Sequence, residues 1–225
     1  GRFEVSPPVG PGIDLRIGAD LRRVSGRTQE LFTFVAGAPT RRRTAGGANT
    51  TAGLFVDASL DRGPWTLALG GRIDHWRIAD GSLLERALAG GAPLTDSRFA
   101  ARTGTEATGR ASVAYRIAPA ITVRTAAYRG WRLPTLNELY RPFRAGADAT
   151  AANPSLAPER LSGIEAGIAI EPGGGLTIGA TGFRNRLNDA IANVTLASGP
   201  GTFPGVGFVA AGGSYRMRRN LDAIR

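Results

Sequence analysis

The chain has 225 residues, enough for one all-β domain or two smaller ones, and it carries a net charge of +10 and no Cys. Every one of its 28 basic residues is Arg. They are spread through the chain, with no recognition-helix pattern, zinc spacing or base-stacking aromatic set beside them, which sets nucleic acid aside as a partner. The lack of Cys removes disulfide and thiol chemistry, and no apolar run approaches the ~20 residues of a membrane helix. With neither a starting Met nor a signal peptide, the chain reads as an internal piece of something longer.

In chain order, Ile13, Leu15, Ile17, Ala19 and Leu21 fall on one face and Asp14, Arg16, Asp20 and Arg22 on the other, the period-two pattern of a strand. A polar stretch holding Arg41-Arg42-Arg43 and Gly46-Gly47 follows and predicts a long loop. Leu54, Val56, Ala58 and Leu60 then oppose Phe55, Asp57 and Asp61, before a turn at Asp61-Arg62-Gly63-Pro64. The chain returns with Trp65, Leu67, Leu69 and Ile73 apolar against Arg72 and Asp74. A second long loop is predicted to about Thr103.

The next strand sets Ala107, Ala111, Val113, Tyr115 and Ile117 against Thr108, Arg110 and Arg116. Past Ala118-Pro119-Ala120, Ile121, Val123, Thr125 and Ala127 alternate up to Tyr128. Residues 128–165 predict a third long loop. Ile164, Ala166, Ile168 and Ile170 resume the alternation, and a turn at Glu171-Pro172-Gly173-Gly174-Gly175 leads to Leu176, Ile178 and Ala180. Phe183 falls on the polar face. A weaker strand begins near Ser214.

Short turns therefore alternate with long loops, and in-strand charges keep to one face. Both regularities predict an all-β, antiparallel up-and-down meander of about eight strands in an outer-membrane barrel, with a wet lumen and a lipid-facing side. The physical reason is that hydrocarbon leaves no partner for a free N–H or C=O, and a closed barrel pairs them all. Trp65 and Tyr115, beside short turns, suit an aromatic girdle. The same alternation fits a soluble or surface-exposed all-β ligand-binding module, whose apolar face is a core. Small residues on that face (Ala19, Ala58, Ala111, Ala166, Ala180) favour the barrel.

The segment Tyr128-Arg129-Gly130-Trp131-Arg132-Leu133-Pro134-Thr135-Leu136-Asn137-Glu138-Leu139-Tyr140, then Asn153-Pro154-Ser155-Leu156-Ala157-Pro158-Glu159, then Glu165 on the next strand, closely resembles TonB-dependent outer-membrane receptors. Looser matches run over nearly the whole chain. The resemblance implies that residues 1–225 are part of a 22-stranded transmembrane barrel around a plug. It further implies a Gram-negative outer-membrane location, contact with lipid and lipopolysaccharide, and import of a ferric siderophore or similar chelate. Energy would come from the TonB complex acting through a plug region that this chain does not contain.

Within the motif, Arg132, Pro134, Asn137, Glu138, Tyr140, Asn153, Pro154, Pro158, Glu159 and Glu165 are expected to be structural. The prolines fix φ, the two Asn cap a turn or short helix, and the charges pair. Arg129, Trp131, Tyr140, Arg141, Phe143 and Arg144 form an aromatic and basic set suited to an anionic, aromatic-bearing chelate. The lone His75 lacks metal-ligand partners, no cofactor is expected, and dispersed acids such as Asp57 and Asp61 have no nucleophile or base beside them. Catalysis is not expected.

Overall fold

The computed structural model describes residues 1–224. In chain order its elements are β1 (Arg2–Val5), β2 (Ile13–Val35), β3 (Ala38–Arg62), β4 (Trp65–Ala87), β5 (Thr95–Phe99), β6 (Arg102–Ala118), β7 (Ile121–Arg132), α1 (Leu136–Tyr140), β8 (Phe143–Ala145), β9 (Asp148–Ala151), β10 (Glu159–Gly173), β11 (Leu176–Ser198), β12 (Gly201–Phe203), β13 (Gly207–Val209) and β14 (Ser214–Ile224). The long strands pair with their chain neighbours in the order β1-β2-β3-β4-β6-β7-β10-β11-β14, antiparallel throughout. The predicted all-β meander is present. It has one exception, since β9 pairs with the edge of β14 in parallel, an outcome of the 133–158 connection folding back rather than of the meander itself.

Two predicted loops are strand instead. The ladder between β2 and β3 continues through the polar stretch to Val35↔Ala38, closed by a two-residue turn in which Ala36 and Gly37 have φ of 48° and 80°. Two positive φ values give a turn whose twist matches the paired strands, so a polar hairpin rises with no loop at all. β4 likewise runs on to Ala87 and gains β5 beside it, which leaves little of the loop predicted from after Asp74 to about Thr103. β10 starts at Glu159, earlier than the alternation beginning at Ile164 suggests. The short turns fall where predicted, and Trp65 and Tyr115 lie opposite each other with ring centroids 4.2 Å apart.

The two faces differ as the alternation requires. Leu54, Leu69, Ile73 and Ile164 project outward and are each about 60% exposed or more. Such a large open apolar face is unusual in a soluble monomer. The opposite face carries Asp20, Phe55, Arg72 and Asp74 low on the wall and Trp76 and Ile78 higher up. Phe183 does lie on this inner face, in register with Glu165 and Ala126, and is 72% exposed.

One buried cluster sits on the inner face of the upper wall, apart from a second made by Ala149, Ala151, Val209 and Tyr215. Trp76, Ile78, Leu139, Tyr140 and Leu156 form the first, with Phe99, Trp131, Leu133, Leu136 and Ile191 against them. Three of its five central members come from the 133–158 connection, so that connection is what turns the upper wall into a packed layer.

Candidate functional site

Pro134 and Pro158 bracket the connection and are both buried. Each denies the ladder a donor and holds its φ near −65°, so the chain leaves β7 and does not return to sheet pairing with β10 until Glu159. Between them Thr135 opens α1. Its hydroxyl accepts from the Glu138 N–H at 3.2 Å, while the Glu138 carboxylate accepts from the Thr135 N–H at 2.6 Å. This reciprocal pair satisfies two otherwise free donors and lets a single five-residue turn of helix persist. The predicted cap Asn137 is instead inside the helix, where its carbonyl accepts from Arg218. Asn153 does cap a turn, accepting from the Ser155 N–H at 3.0 Å.

Arg132, Glu138 and Glu159 come together as one bracket. The Arg132 guanidinium donates to Glu138 at 3.0 Å and to Glu159 at 2.5 Å, and Glu159 also accepts from the Ile191 N–H at 2.6 Å. β7, α1, β10 and β11 are tied through three side chains. Glu165 does not join; no ion pair reaches it among the described residues.

The helix then buries Leu139 and Tyr140 completely. The Tyr140 ring stacks on Phe99 with centroids 5.0 Å apart and lies flat on the wall at Gly81, where an added Cβ would stand 2.6 Å from its hydroxyl oxygen. Only a residue without a side chain leaves that space.

Above Tyr140 a charged row fastens the connection. Glu30, Arg43 and Glu85 sit side by side across β2, β3 and β4. Arg43 is buried, donates to Glu85 at 2.5 Å, to Glu30 at 3.3 Å and to the Pro142 carbonyl at 3.0 Å, and stacks over Phe32 at 4.1 Å. Arg141 closes the row on Glu30 at 2.7 Å. Burial works to raise the Glu30 pKa, but the hydrogen bonds and charges of Arg141 and Arg43 outweigh it and hold the carboxyl below its usual range. At Glu138 burial is again opposed, by Arg132 and the Thr135 cap, and the net shift is downward. Burial pushes the Tyr140 phenol up.

Two further arginines hold the connection by its backbone. Arg102 donates to the Pro154 and Leu156 carbonyls at 2.6 and 3.0 Å, and Arg218 to the Asn137 and Arg141 carbonyls at 3.0 Å each.

The six residues predicted as a ligand-contacting set are not one surface. Tyr140 is core, and Arg141 is engaged with Glu30. Arg144 donates to the Val206 and Phe208 carbonyls and so anchors the β12–β13 hairpin. Trp131 donates its indole N–H to Asp74 at 3.1 Å, beside the pair that Arg72 makes with Asp20 at 2.6 Å. Phe143 is exposed, and Arg129 points from the outer face of β7. Trp131 and Arg132 do line a cavity of about 800 Å³ under the connection, together with Asp20, Arg22, Asn49 and Arg72.

The Thr-x-x-Glu spacing of Thr135 and Glu138 is a cap signal that sequence can carry, yet alternation alone does not bring it out. Glu30, Arg43, Glu85, Arg102 and Arg218 carry no such signal, because their partners lie far away in the chain.

The family described as TonB dependent receptor-like, beta-barrel, matches residues 1–221. The chain belongs to this family. Among solved structures it resembles the ferric yersiniabactin uptake receptor FyuA of Yersinia pestis, with a TM-score of 0.61 at 16% identity over 84% of this chain and 28% of that one. The copper transporter OprC gives 0.62 at 16% identity, covering 98% and 32%. The ferric-catecholate import receptor Fiu of E. coli gives 0.59 at 15%, covering 92% and 32%. At these identities the likeness is one of fold. The chain spans about a third of the length of these receptors, and no curated protein matches it.

Proposed function

We propose that this chain is one section of a closed outer-membrane barrel that imports a scarce ligand, a ferric siderophore or similar chelate, with energy delivered by the TonB complex through a plug in the lumen. The observation that carries the reading is the two-sided wall. Exposed Leu54, Leu69, Ile73 and Ile164 face out toward lipid, while Asp20, Arg72, Asp74 and the connection face in. Import by this route is transport and needs no catalytic group. The open, inward-facing Phe183 suits a lumen filled by protein rather than by water alone.

Ligand contact is assigned to Trp131, which lines the inner cavity, and to the exposed Phe143. Tyr140, Arg141 and Arg144 shape the connection that presents them. Two aromatic faces suit an aromatic-bearing chelate.

The test uses the full-length receptor in its own outer membrane and a radiolabelled ferric catecholate. Uptake is expected to stop when the TonB complex is de-energised, and binding to weaken about tenfold in Trp131→Ala/Phe143→Ala, the loss that ~1.4 kcal/mol of contact produces. Uptake that continues without TonB, or fractionation of the protein away from the outer membrane, would overturn the reading in favour of a soluble binding module.

A further inference from the structure

The indole of Trp131 reaches a place that strand alternation does not give it. On β7 it shares the side of Arg129, two residues earlier, which points from the outer face. Yet its N–H donates to Asp74 at 3.1 Å, among the inner-face side chains. The reason lies in the β6–β7 ladder, whose uppermost pair is Gly109↔Arg129. Beyond it no backbone pairing with β6 holds Trp131 in the alternation, and the side chain turns in toward β4 and Trp76. Arg160, the register partner of Trp131 on β10, donates to Glu106 at 2.8 Å, and Glu106 is the register partner of Asp74. Above Gly109 and Arg129 the wall is thus joined by side chains where its backbone does not join it.

Asp74 is fixed before the indole meets it. It is 3% exposed, and its two oxygens accept from the Arg72 Nε at 2.8 and 2.9 Å. Arg72 is itself held by Asp20, at 2.6 and 2.9 Å. Asp20, Gly53 and Asp74 form one row over β2, β3 and β4, and the middle strand supplies no side chain to it. A Cβ at Gly53 would stand 2.0 Å from Arg72 Nη2 and 2.5 Å from Asp74 Oδ1, so the ion pair occupies the space that this glycine leaves. A buried carboxylate only accepts, and one locked in this way sets the direction of the single donor on the indole.

We propose that Asp74 is the positioning residue for Trp131. It holds the indole at one angle over the inner cavity, which Asp20, Arg72, Asp74 and Trp131 line together, so that the ring face meets an aromatic-bearing ferric chelate already ordered. Ordering a side chain ahead of binding removes that cost from the binding step. The inference rests on the ligand contact assigned to Trp131 above.

The experiment measures equilibrium binding of a radiolabelled ferric catecholate to the full-length receptor in its own outer membrane. Asp74→Leu removes the acceptor, and Trp131→Phe removes the donor while keeping a ring. Each is expected to weaken binding about fivefold, and the double variant to be no weaker than Trp131→Phe alone. Asp74→Asn keeps a side-chain carbonyl that accepts from the indole, and should restore binding to within about twofold of wild type. Gly53→Ala displaces the ends of two side chains rather than the strand, with an expected loss of about threefold that vanishes in the Trp131→Phe background; it tests the same contact if Asp74→Leu fails to assemble. A role in wall stability alone would lower receptor abundance and leave the affinity of the remaining receptor unchanged. That result, losses that add in the double variant, or an Asp74→Asn variant as weak as Asp74→Leu overturns the positioning role while the ligand contact stands. Unchanged affinity in Trp131→Ala overturns the contact assigned to Trp131, and this inference with it.

Discussion

Residues 23–52 and residues 133–158 are both polar, Arg-bearing stretches set between alternating segments, yet the first stands up as a regular β2–β3 ladder and the second folds back over Trp76 and Ile78. The first contains a single Pro, Pro39, at the very start of β3, and a turn pair, Ala36-Gly37, able to take positive φ. The second has Pro134, Pro142, Pro154 and Pro158, which remove ladder donors at intervals. Polarity therefore does not separate a loop from a raised hairpin; the placement of Pro and of residues tolerant of positive φ does. The two regions also depend on different forces. The hairpin is held by backbone pairing along its length, the connection by a few buried side chains and ion pairs.

The comparison is broken most strongly by removing what only the connection uses. Tyr140→Ala deletes a fully buried aromatic ring, a loss of about 3–5 kcal/mol for such a truncation. Tryptic cleavage after Arg144 in the assembled receptor should then accelerate at least a hundredfold, with the β2–β3 hairpin still resistant. Equal loosening of both regions would show that they are one cooperative unit.

Acid should act next. Glu30 and Glu138 both titrate below the ordinary carboxylate value of 4.5 in the folded protein. Groups with depressed folded pKa values contribute stability that is complete above 4.5 and disappears as pH falls through their folded values. Hydrogen exchange at the α1 amides should therefore be flat from pH 7 to about 5, after correction for intrinsic rates, and faster below about 4, while amides flanking Ala36-Gly37 keep their protection. A loss of α1 protection already near neutral pH would exclude these carboxylates as the cause.

The smallest effect sharpens the contrast. Thr135→Ala removes the α1 cap at a cost of about 1 kcal/mol, expected as roughly fivefold faster exchange confined to residues 136–140. Exchange that is unchanged would mean that burial of Leu139 and Tyr140 holds the helix without its cap.

Much of this architecture is legible in the chain. Alternation in Leu54–Leu60, Trp65–Ile73 and Ile164–Ile170 identifies strands and faces, because side chains on a strand have no choice but to alternate. The motif around Arg132, Pro134 and Glu138 points to the family, and its charges do pair. The ligand-contacting set is less legible. Tyr140, Arg141 and Arg144 look free in sequence, but each is consumed by a partner distant in the chain: Phe99, Glu30 and the Val206 carbonyl.

The sequence by itself determined the strand faces, the short turns and the points where Pro interrupts pairing, since all of these follow from local geometry and the chemistry of single residues. Only the tertiary structure decided that the 133–158 connection turns inward, that Arg43 is shared between two acids, and that Asp20, Gly53 and Asp74 share one row of the inner face. Those outcomes depend on strand register, which places residues from separate strands in one row, and no local pattern in the chain encodes that adjacency.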